Sequence, residues 1–392
     1  MLVERRYLHM YDFDSVVNRN VPGDIKYEKI EGIDDLIPMW VADMDFRCMP
    51  EVSDALVKVA EEGLFGYYDA DEEYYKAVTG WFRRRYDWEV DAAEIIPIPG
   101  VIVGIVHALN VLTKPDDHVL IFQPVYGQFE RCVKWNGRIP TICDLKNVNG
   151  RYEIDLEEME QKIREEQVKV LLWCSPHNPG GRVWTMEELK AVTDLCLTYD
   201  VKIISDEIHA DLTLGGRRHI PIAKVSKEVA QKSVILSSPT KSFNLAGIQA
   251  ANIVVPDPVL RKQIDRRAFA SGLFELNKMG IAATKAAYNL GEAWLTELLV
   301  YVEENMELVI KELDDTKLSV MRPEGTYLVW IDCSAYREEG NFAKVLLEKA
   351  HVRVSEGIFF GKSGEHFIRL NVACPRRILK EALGRIKRAV AE

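Results

Sequence analysis

Lys241 is the residue of this sequence with the clearest potential for chemistry, because it follows a run of residues typical of a buried strand. The run covers residues 233–236, and Ser237, Ser238 and Pro239 end it abruptly. A lysine at a strand end, flanked by hydroxyl groups, can be partly desolvated and then offers a neutral amine that condenses with an aldehyde. A lone lysine after a strand more often lies at the surface, so this interpretation depends on the residues that accompany Lys241.

Other strand-like runs also end in residues that could take part in chemistry. The run at residues 95–98 leads into a helix-like segment whose first N–H groups, at Val101 and Ile102, could hold an anion such as phosphate. The residues that follow the remaining runs are Tyr126 after 118–122, Asn178 after 168–173, Asp206 and His209 after 201–205, and Ser238 after 234–236. Each of them alone has an ordinary explanation as a turn, a helix cap or a core residue.

The order of these segments predicts the fold. Strand-like runs at residues 95–98, 118–122, 168–173, 201–205, 234–236 and 252–255 are mostly separated by helix-like segments, of which 186–199 is the clearest. Apolar strands that alternate with helices are typical of an α/β fold with a mainly parallel sheet covered on both faces. Because ligands of such sheets bind at the carboxyl ends of the strands, we expect the residues named above to meet in one crevice.

The chain is expected to divide into three parts. Residues 49–290 form the large domain with the mainly parallel sheet, and residues 291–392 form a smaller α+β C-terminal domain. That domain would contain helices at 293–313 and 376–390 and strands at 326–331, 352–355 and 367–372. Residues 1–48 lack clear periodicity, so we expect this N-terminal segment to pack on the small domain. Helices are predicted at 50–63 and 71–86.

Composition narrows the classes of partner. The 392 residues are 47% hydrophobic and 28% charged, and the net charge of −11 argues against a general affinity for nucleic acid or an anionic membrane surface. The seven cysteines are well separated, which favours free thiols in the cytoplasm over a disulfide framework or a metal site. Residues 95–113 carry no Asp, Glu, Lys or Arg, but prolines and glycines interrupt them, so we expect no membrane span. Small-molecule partners are therefore favoured.

Taken together, the strand-end residues describe a pocket for pyridoxal 5'-phosphate. Lys241 would hold the aldehyde of this cofactor and later move a proton. Asp206 would keep the pyridine nitrogen protonated, and Tyr126 would cover the face of the ring. The remaining assignments are Asn178 or His209 at the phenolic oxygen, and Ser238 with the N–H groups around Val101 and Ile102 at the phosphate.

The sequence resembles the fold-type I pyridoxal phosphate enzymes of the aspartate aminotransferase superfamily over essentially its whole length. The resemblance is closest to the branch of cystathionine β-lyases and cysteine C–S lyases. The motifs that carry it are VADMDF at 41–46, FGY at 65–67, CSPHNP at 174–179, SDEIH at 205–209 and KSFNLAG at 241–247. Two departures from the aminotransferases point to the lyase branch: His209 stands where they usually have Tyr, and Gln249 where they usually have a phosphate-binding Arg.

The resemblance implies roles for further residues. Arg369 alternates away from the apolar face of its predicted strand, where a guanidinium could clamp a carboxylate, and the family places a substrate-carboxylate Arg in this motif. The backbone near Ala42 would assist it, and Asn178 would also contact the substrate. Tyr67 would reach the phosphate in the neighbouring subunit, which implies a homodimer with active sites at the subunit interface. Gly127 follows Tyr126 where some cysteine desulfhydrases have a second Tyr, so the substrate side could be more open.

The activity expected from the resemblance is β-elimination at the C–S bond of L-cystathionine or related cysteine S-conjugates, which gives a thiol, pyruvate and ammonia. One alternative is an aminotransferase acting on an L-amino acid, because both reactions begin with removal of the Cα proton. A second alternative is a non-catalytic regulatory or binding protein on the same scaffold. The residues alone leave these alternatives open, since pocket geometry decides where the proton returns.

Overall fold

The computed structural model of the protein describes residues 10–391. The helices, in chain order, are α1 (Pro50–Glu62), α2 (Glu72–Tyr86), α3 (Val101–Leu112), α4 (Gln128–Trp135), α5 (Leu156–Glu165), α6 (Met186–Thr198), α7 (Lys227–Gln231), α8 (Pro258–Ser271), α9 (Lys278–Leu290), α10 (Glu292–Leu313), α11 (Phe342–Val345) and α12 (Arg376–Ala391). The strands are β1 (Ile37–Pro38), β2 (Ile95–Ile98), β3 (His118–Gln123), β4 (Ile139–Asp144), β5 (Lys146–Val148), β6 (Arg151–Glu153), β7 (Val170–Cys174), β8 (Lys202–Asp206), β9 (Ser233–Ser237), β10 (Ala251–Val254), β11 (Ser319–Met321), β12 (Leu328–Asp332), β13 (Val352–Arg353), β14 (Ser355–Glu356) and β15 (Phe367–Asn371). Within residues 10–391, none of the helices is both long and apolar enough to cross a membrane.

The large sheet has the order β2-β10-β9-β8-β7-β3-β4 in the described part of the chain. Strand β10 is antiparallel to both of its neighbours, and the other pairings are parallel. Successive residues of β3 face opposite sides: Leu120 and Phe122 belong to one buried apolar cluster, and Val119 and Ile121 to another. The sheet is therefore buried on both faces, and the predicted α/β class is confirmed.

Strand β4 and the hairpin of β5 and β6 were not predicted. Strand β4 lies at the edge of the large sheet, and its first residue, Ile139, is exposed. Pro140 lies within it, and proline is tolerated in an edge strand but lowers the strand signal of a sequence. The predicted bounds of two central strands also shift, because β7 begins at Val170 and β8 ends at Asp206. Asp206 is thus the last residue of its strand.

The C-terminal part contains an antiparallel sheet of the order β11-β12-β15-β14. The strand predicted at 352–355 is two strands, because β13 pairs with β1 while β14 pairs with β15. Residues of the N-terminal segment contact α10 as well: the ring of Phe13 lies 5.6 Å from the ring of Trp294. These contacts support packing of the N-terminal segment on the C-terminal part, and the division of the chain at residues 48 and 290 stays a prediction. Residues 1–9 and residue 392 of that division lie outside the described residues.

The predicted helix starts follow from local capping. Pro50 is the first residue of α1, and Gly63 ends the helix with a φ of 65°, a left-handed conformation that glycine adopts readily. The Asp71 side chain accepts a hydrogen bond from the Tyr74 N–H, so α2 begins one residue later than predicted. These helices pack on α9, beside the loop that carries Lys241.

Candidate active site

A cavity of about 740 Å³ lies at the carboxyl ends of β2, β9, β8, β7 and β3. The predicted site residues that line it are Ala42, Val101, Ile102, Tyr126, Asn178, Asp206, His209, Ser238, Lys241 and Arg369. Tyr67 does not line it, and its side chain is 99% exposed. The cavity therefore joins the strand ends of the large sheet to Ala42 of the N-terminal segment and Arg369 of β15, which are 327 positions apart in the sequence.

Lys241 lies four residues past the end of β9. Its Nζ donates a hydrogen bond of 2.6 Å to the carbonyl oxygen of Ala42. Burial, with a smaller contribution from the positive charge of Arg369, lowers the pKa of Lys241 to about 8, although Asp43 and Asp206 act in the opposite direction. The amine is thus close to the balance between its charged and neutral forms at neutral to mildly alkaline pH.

Two side chains fix the loop around Lys241. The hydroxyl of Ser242 donates to Asp211 Oδ2 at 2.7 Å, and Asp211 Oδ1 accepts from the indole N–H of Trp81 and the hydroxyl of Tyr86. Asn244 Nδ2 donates to the carbonyls of Met44 and Phe46, and Asn244 Oδ1 accepts from the Met44 N–H. The loop and the segment that carries Ala42 are consequently held together as one unit.

Asp206 is a buried carboxylate that is poorly satisfied by the protein itself. Within residues 10–391 its side chain accepts one hydrogen bond, from the Ile208 N–H at 3.0 Å, and it forms no ion pair. The pKa of Asp206 is raised to about 7, mainly by burial and to a small extent by Glu207, although the Ile208 N–H and the positive charge of Lys241 act in the opposite direction. A buried carboxylate with this environment favours a proton or a cationic ligand next to it.

His209 and Tyr126 provide the aromatic walls. His209 is buried, which lowers its pKa to about 3 and keeps the imidazole neutral. Its Nδ1 atom is buried without a hydrogen-bond partner among the described residues, and its ring lies edge-on to Tyr327 at 6.3 Å. Tyr126 is half-buried, and burial raises the pKa of its phenol. Its ring lies 6.0 Å from the ring of Phe359 at the same cavity.

Arg369 is buried and held in place by three hydrogen bonds. Its Nη1 donates to Asn178 Oδ1 at 3.0 Å, and its Nη2 donates to the Trp40 carbonyl at 2.8 Å and to Ser355 Oγ at 3.1 Å. Burial lowers its pKa to about 10. Its Nε is buried without a partner among the described residues. The side chain is therefore a fixed positive charge at the cavity, not a solvated arginine.

One end of the cavity is formed by the start of α3 and the turn after β9. The first N–H groups of α3 have no acceptor within the helix and give this end a positive potential. Ser238 Oγ donates to the Ala250 carbonyl at 2.7 Å and accepts from the Thr240 N–H at 3.0 Å. Thr240 and Gln249 line the same end. This arrangement suits an anion.

Several cavity residues were not found by sequence reasoning. Trp40 directly precedes the motif at 41–46, and this adjacency is a sequence signal for a place at the cavity. Ser355 contacts Arg369 because β14 pairs with β15. Tyr327 lies behind the cavity wall and donates a hydrogen bond of 2.9 Å to the carbonyl of cavity-lining Ala42. These contacts depend on strand register, which leaves no local signal in the sequence.

The comparisons with known proteins agree with this geometry. Residues 34–386 match the model of the family described as aminotransferase class I and II. The chain is 38% identical to the cystathionine beta-lyase PatB of Bacillus subtilis (strain 168), over 97% of this chain and 100% of that protein. Among solved structures, it is similar to cystalysin from Treponema denticola, which contains pyridoxal 5'-phosphate, with a TM-score of 0.94, 31% identity and coverage of 97% and 99%. It is also similar to the pyridoxal phosphate-bound C–S lyase from Staphylococcus hominis, with a TM-score of 0.92, 32% identity and coverage of 97% and 98%.

Proposed function

The chain belongs to the aminotransferase class I and II family, and on this premise we propose that it is a pyridoxal 5'-phosphate-dependent lyase of the cystathionine β-lyase branch. It cleaves the C–S bond of L-cystathionine or related cysteine S-conjugates and gives a thiol, pyruvate and ammonia. The observation that carries the proposal is the buried carboxylate of Asp206, which has no cation partner in the described chain and lines the same cavity as Lys241.

The residues present fit the cofactor. Asp206 would pair with its protonated pyridine nitrogen, which would satisfy a carboxylate that burial alone destabilises. The unpartnered Nδ1 of buried His209 supports a role for this ring near the phenolic oxygen, together with the amide of Asn178. The phosphate would lie against the N-terminus of α3 at Val101 and Ile102, close to the Ser238 turn. Tyr126 would cover the ring face.

Lys241 is proposed as the catalytic base and acid. When bound, pyridoxal phosphate supplies an aldehyde that takes up the substrate amine and a ring that accepts the electron pair left at Cα. Lys241 Nζ takes the proton from Cα, and a pKa near 8 suits this transfer at neutral pH. The C–S bond then breaks, and the sulfur leaves with its electron pair and receives a proton from Lys241. The remaining enamine hydrolyses to pyruvate and ammonia.

Arg369 is proposed to orient the substrate. Its guanidinium is fixed by Asn178, Trp40 and Ser355, so little side-chain entropy is lost when a carboxylate binds. A substrate α-carboxylate at Arg369 would place Cα on the side of the cavity where Lys241 contacts Ala42. The backbone of Ala42 would close this side of the site.

A homodimer is proposed as the working unit. Leu64, Phe65 and Tyr67 are 65%, 66% and 99% exposed, a cluster of large side chains that a second copy of the chain would cover. Tyr67 would then reach the phosphate in the partner's cavity. A mixture of Lys241→Ala and Tyr67→Ala dimers, unfolded and refolded together, should regain about a quarter of the wild-type site activity, because each mixed dimer has one intact site. Recovery no greater than the sum of the separate variants would contradict shared sites.

A cytoplasmic location is proposed as well. All seven cysteines are free, which is typical of a reducing compartment. Fractionation of the producing cells would test it.

Pyruvate release without a keto acid tests the proposed activity. Cofactor-loaded protein is mixed with L-cystathionine, pyruvate is followed with lactate dehydrogenase, and Lys241→Ala serves as the control. Steady pyruvate formation that the variant lacks is expected. Conversion of the cofactor to its pyridoxamine form after one turnover, without pyruvate, would instead identify an aminotransferase. A protein that does not take up the cofactor at all would point to a non-catalytic role.

A further inference from the structure

Trp40 connects two arginine side chains at one wall of the cavity. Its carbonyl oxygen accepts a hydrogen bond of 2.8 Å from Arg369 Nη2, and its indole ring lies 4.0 Å from the guanidinium carbon of Arg353. Both arginines line the cavity. A ligand whose carboxylate binds Arg369 therefore shares the cavity with a second guanidinium, that of Arg353, and Trp40 lies between the two arginines.

The backbone of Arg353 is fixed, while its guanidinium makes a stacking contact with Trp40 and one long ion pair within the described chain. Arg353 lies in β13 opposite Pro38, and its carbonyl accepts from the Met39 N–H at 2.7 Å. Among residues 10–391, the acidic group closest to the guanidinium is that of Glu28, at 3.9 Å, and the Glu28 side chain is 69% exposed. A pair of this length and exposure contributes little stability. Stacking on Trp40 thus orients the guanidinium while its N–H donors stay available.

We propose that Arg353 binds a second carboxylate of the substrate, on the far side of the scissile sulfur. This assignment rests on the proposed function, and it narrows the substrate class to cysteine thioethers that carry a distal carboxylate, as L-cystathionine does. A guanidinium matches a carboxylate with two parallel hydrogen bonds. Glu356 also lines the cavity and suits the ammonium group of a distal amino acid. Thioethers with a short neutral substituent leave this wall unused.

Substrate discrimination tests the assignment. Wild type, Arg353→Met, Arg353→Lys and Arg131→Met are compared on L-cystathionine and S-methyl-L-cysteine. Arg131 is a matched control, because it is exposed and its guanidinium lies 5.1 Å from the ring of cavity-lining Phe359, but it does not line the cavity itself. The quantity compared is kcat/KM for L-cystathionine divided by kcat/KM for S-methyl-L-cysteine. We expect this ratio to fall by about 10- to 100-fold in Arg353→Met, mostly through a higher KM for L-cystathionine, and to stay at the wild-type value in Arg131→Met.

The Lys variant keeps the charge and loses the planar donor pair, so it should lie between wild type and the Met variant. An unchanged ratio in Arg353→Met would overturn the assignment, and so would an equal fall in Arg131→Met, since that would reflect the general potential of the cavity mouth.

Binding of two uncleavable amino acids tests Arg353 independently of turnover. L-2-aminosuberate and L-2-aminooctanoate have the same chain length and differ in a terminal carboxylate or methyl group. Titration calorimetry with the cofactor-loaded protein should show a preference for L-2-aminosuberate that Arg353→Met abolishes, and a preference that survives the change would refute the role. Failure of wild type to release pyruvate from either thioether would refute the proposed function, while the calorimetric result would still decide the role of Arg353.

Discussion

Replacement of Asp206 by Asn should make the cofactor-free protein more stable at neutral pH. Asp206 is 6% exposed and receives one hydrogen bond, from the Ile208 N–H, within the described chain. Asn has nearly the same shape and keeps an acceptor for that N–H, but it never carries the negative charge that burial opposes. The change therefore removes an electrostatic cost of folding without creating a cavity.

The size and sign of this effect follow from the pKa of Asp206. The pKa rises from an ordinary 3.8 to about 7, and at ~1.4 kcal/mol per pH unit this corresponds to at most about 4 kcal/mol. Between these two pH values the folded state holds a proton that the unfolded state has lost, so stability falls as pH rises and is constant above about pH 7. Asn does not titrate, and about 3 of the 4 kcal/mol should accumulate between pH 5 and pH 8.

Urea unfolding of the cofactor-free proteins at pH 5 and pH 8 measures this difference. The variant should gain stability over wild type as pH rises, and loading with pyridoxal phosphate should reverse the order, because only the carboxylate pairs with a protonated ring nitrogen. Lys241 and Glu207 are the charged groups that act on Asp206, and both stay in place. A difference that does not change with pH, or a variant less stable than wild type at pH 8 without cofactor, would refute the reasoning.

Three further changes have expected outcomes. Asp211→Asn should cost about 2–4 kcal/mol in urea unfolding at pH 7, because this buried carboxylate accepts several hydrogen bonds, including one from Ser242; a variant as stable as wild type would contradict this. In Asn244→Gly, glycine adopts the φ of 57° without strain, but the hydrogen bonds that hold the segment carrying Ala42 are lost. The KM for L-cystathionine should therefore rise severalfold in steady-state kinetics, and an unchanged KM would exclude this role of Asn244. Gly104→Val should weaken cofactor binding in a spectroscopic titration, because even its Cβ would lie 2.4 Å from Leu236 Cδ2 and push α3 away from the sheet; wild-type affinity would show that α3 does not hold the phosphate.

The sequence predicted six of the seven strands of the large sheet, because each of these six strands and the residue at its end are encoded locally. Lys241 after β9 and Tyr126 after β3 can be placed by reading a few neighbours, and parallel pairing then brings the strand ends together. Asp206 was expected just after its strand and is its last residue, which changes its position by one residue and not its place at the cavity.

Features that depend on distant pairing could not be predicted in this way. Strand β4 has an exposed first residue and an internal proline, so its strand signal is weak although β3 pairs with all six of its residues. The wall formed by Trp40, Arg353 and Ser355 requires the register of β1 with β13 and of β14 with β15. Two-residue strands leave almost no periodic pattern, so the residues that could select the substrate are the ones that local reasoning misses.

The number of hydrogen-bond partners of a buried carboxylate distinguishes Asp206, a residue of the site, from Glu207, a residue of the scaffold. Glu207 is buried directly beside Asp206, and its oxygens accept from Ser205 Oγ at 2.8 Å and the Ile222 N–H at 2.9 Å and lie 2.7 Å from His219 Nε2. Asp206 accepts one hydrogen bond within the described chain. A buried carboxylate with one hydrogen bond and no ion pair lowers the stability of the folded protein, since an uncompensated charge opposes folding. The presence of such a carboxylate next to Glu207, whose oxygens all have partners, is explained by a cationic ligand that forms an ion pair with Asp206. The urea experiment tests this explanation.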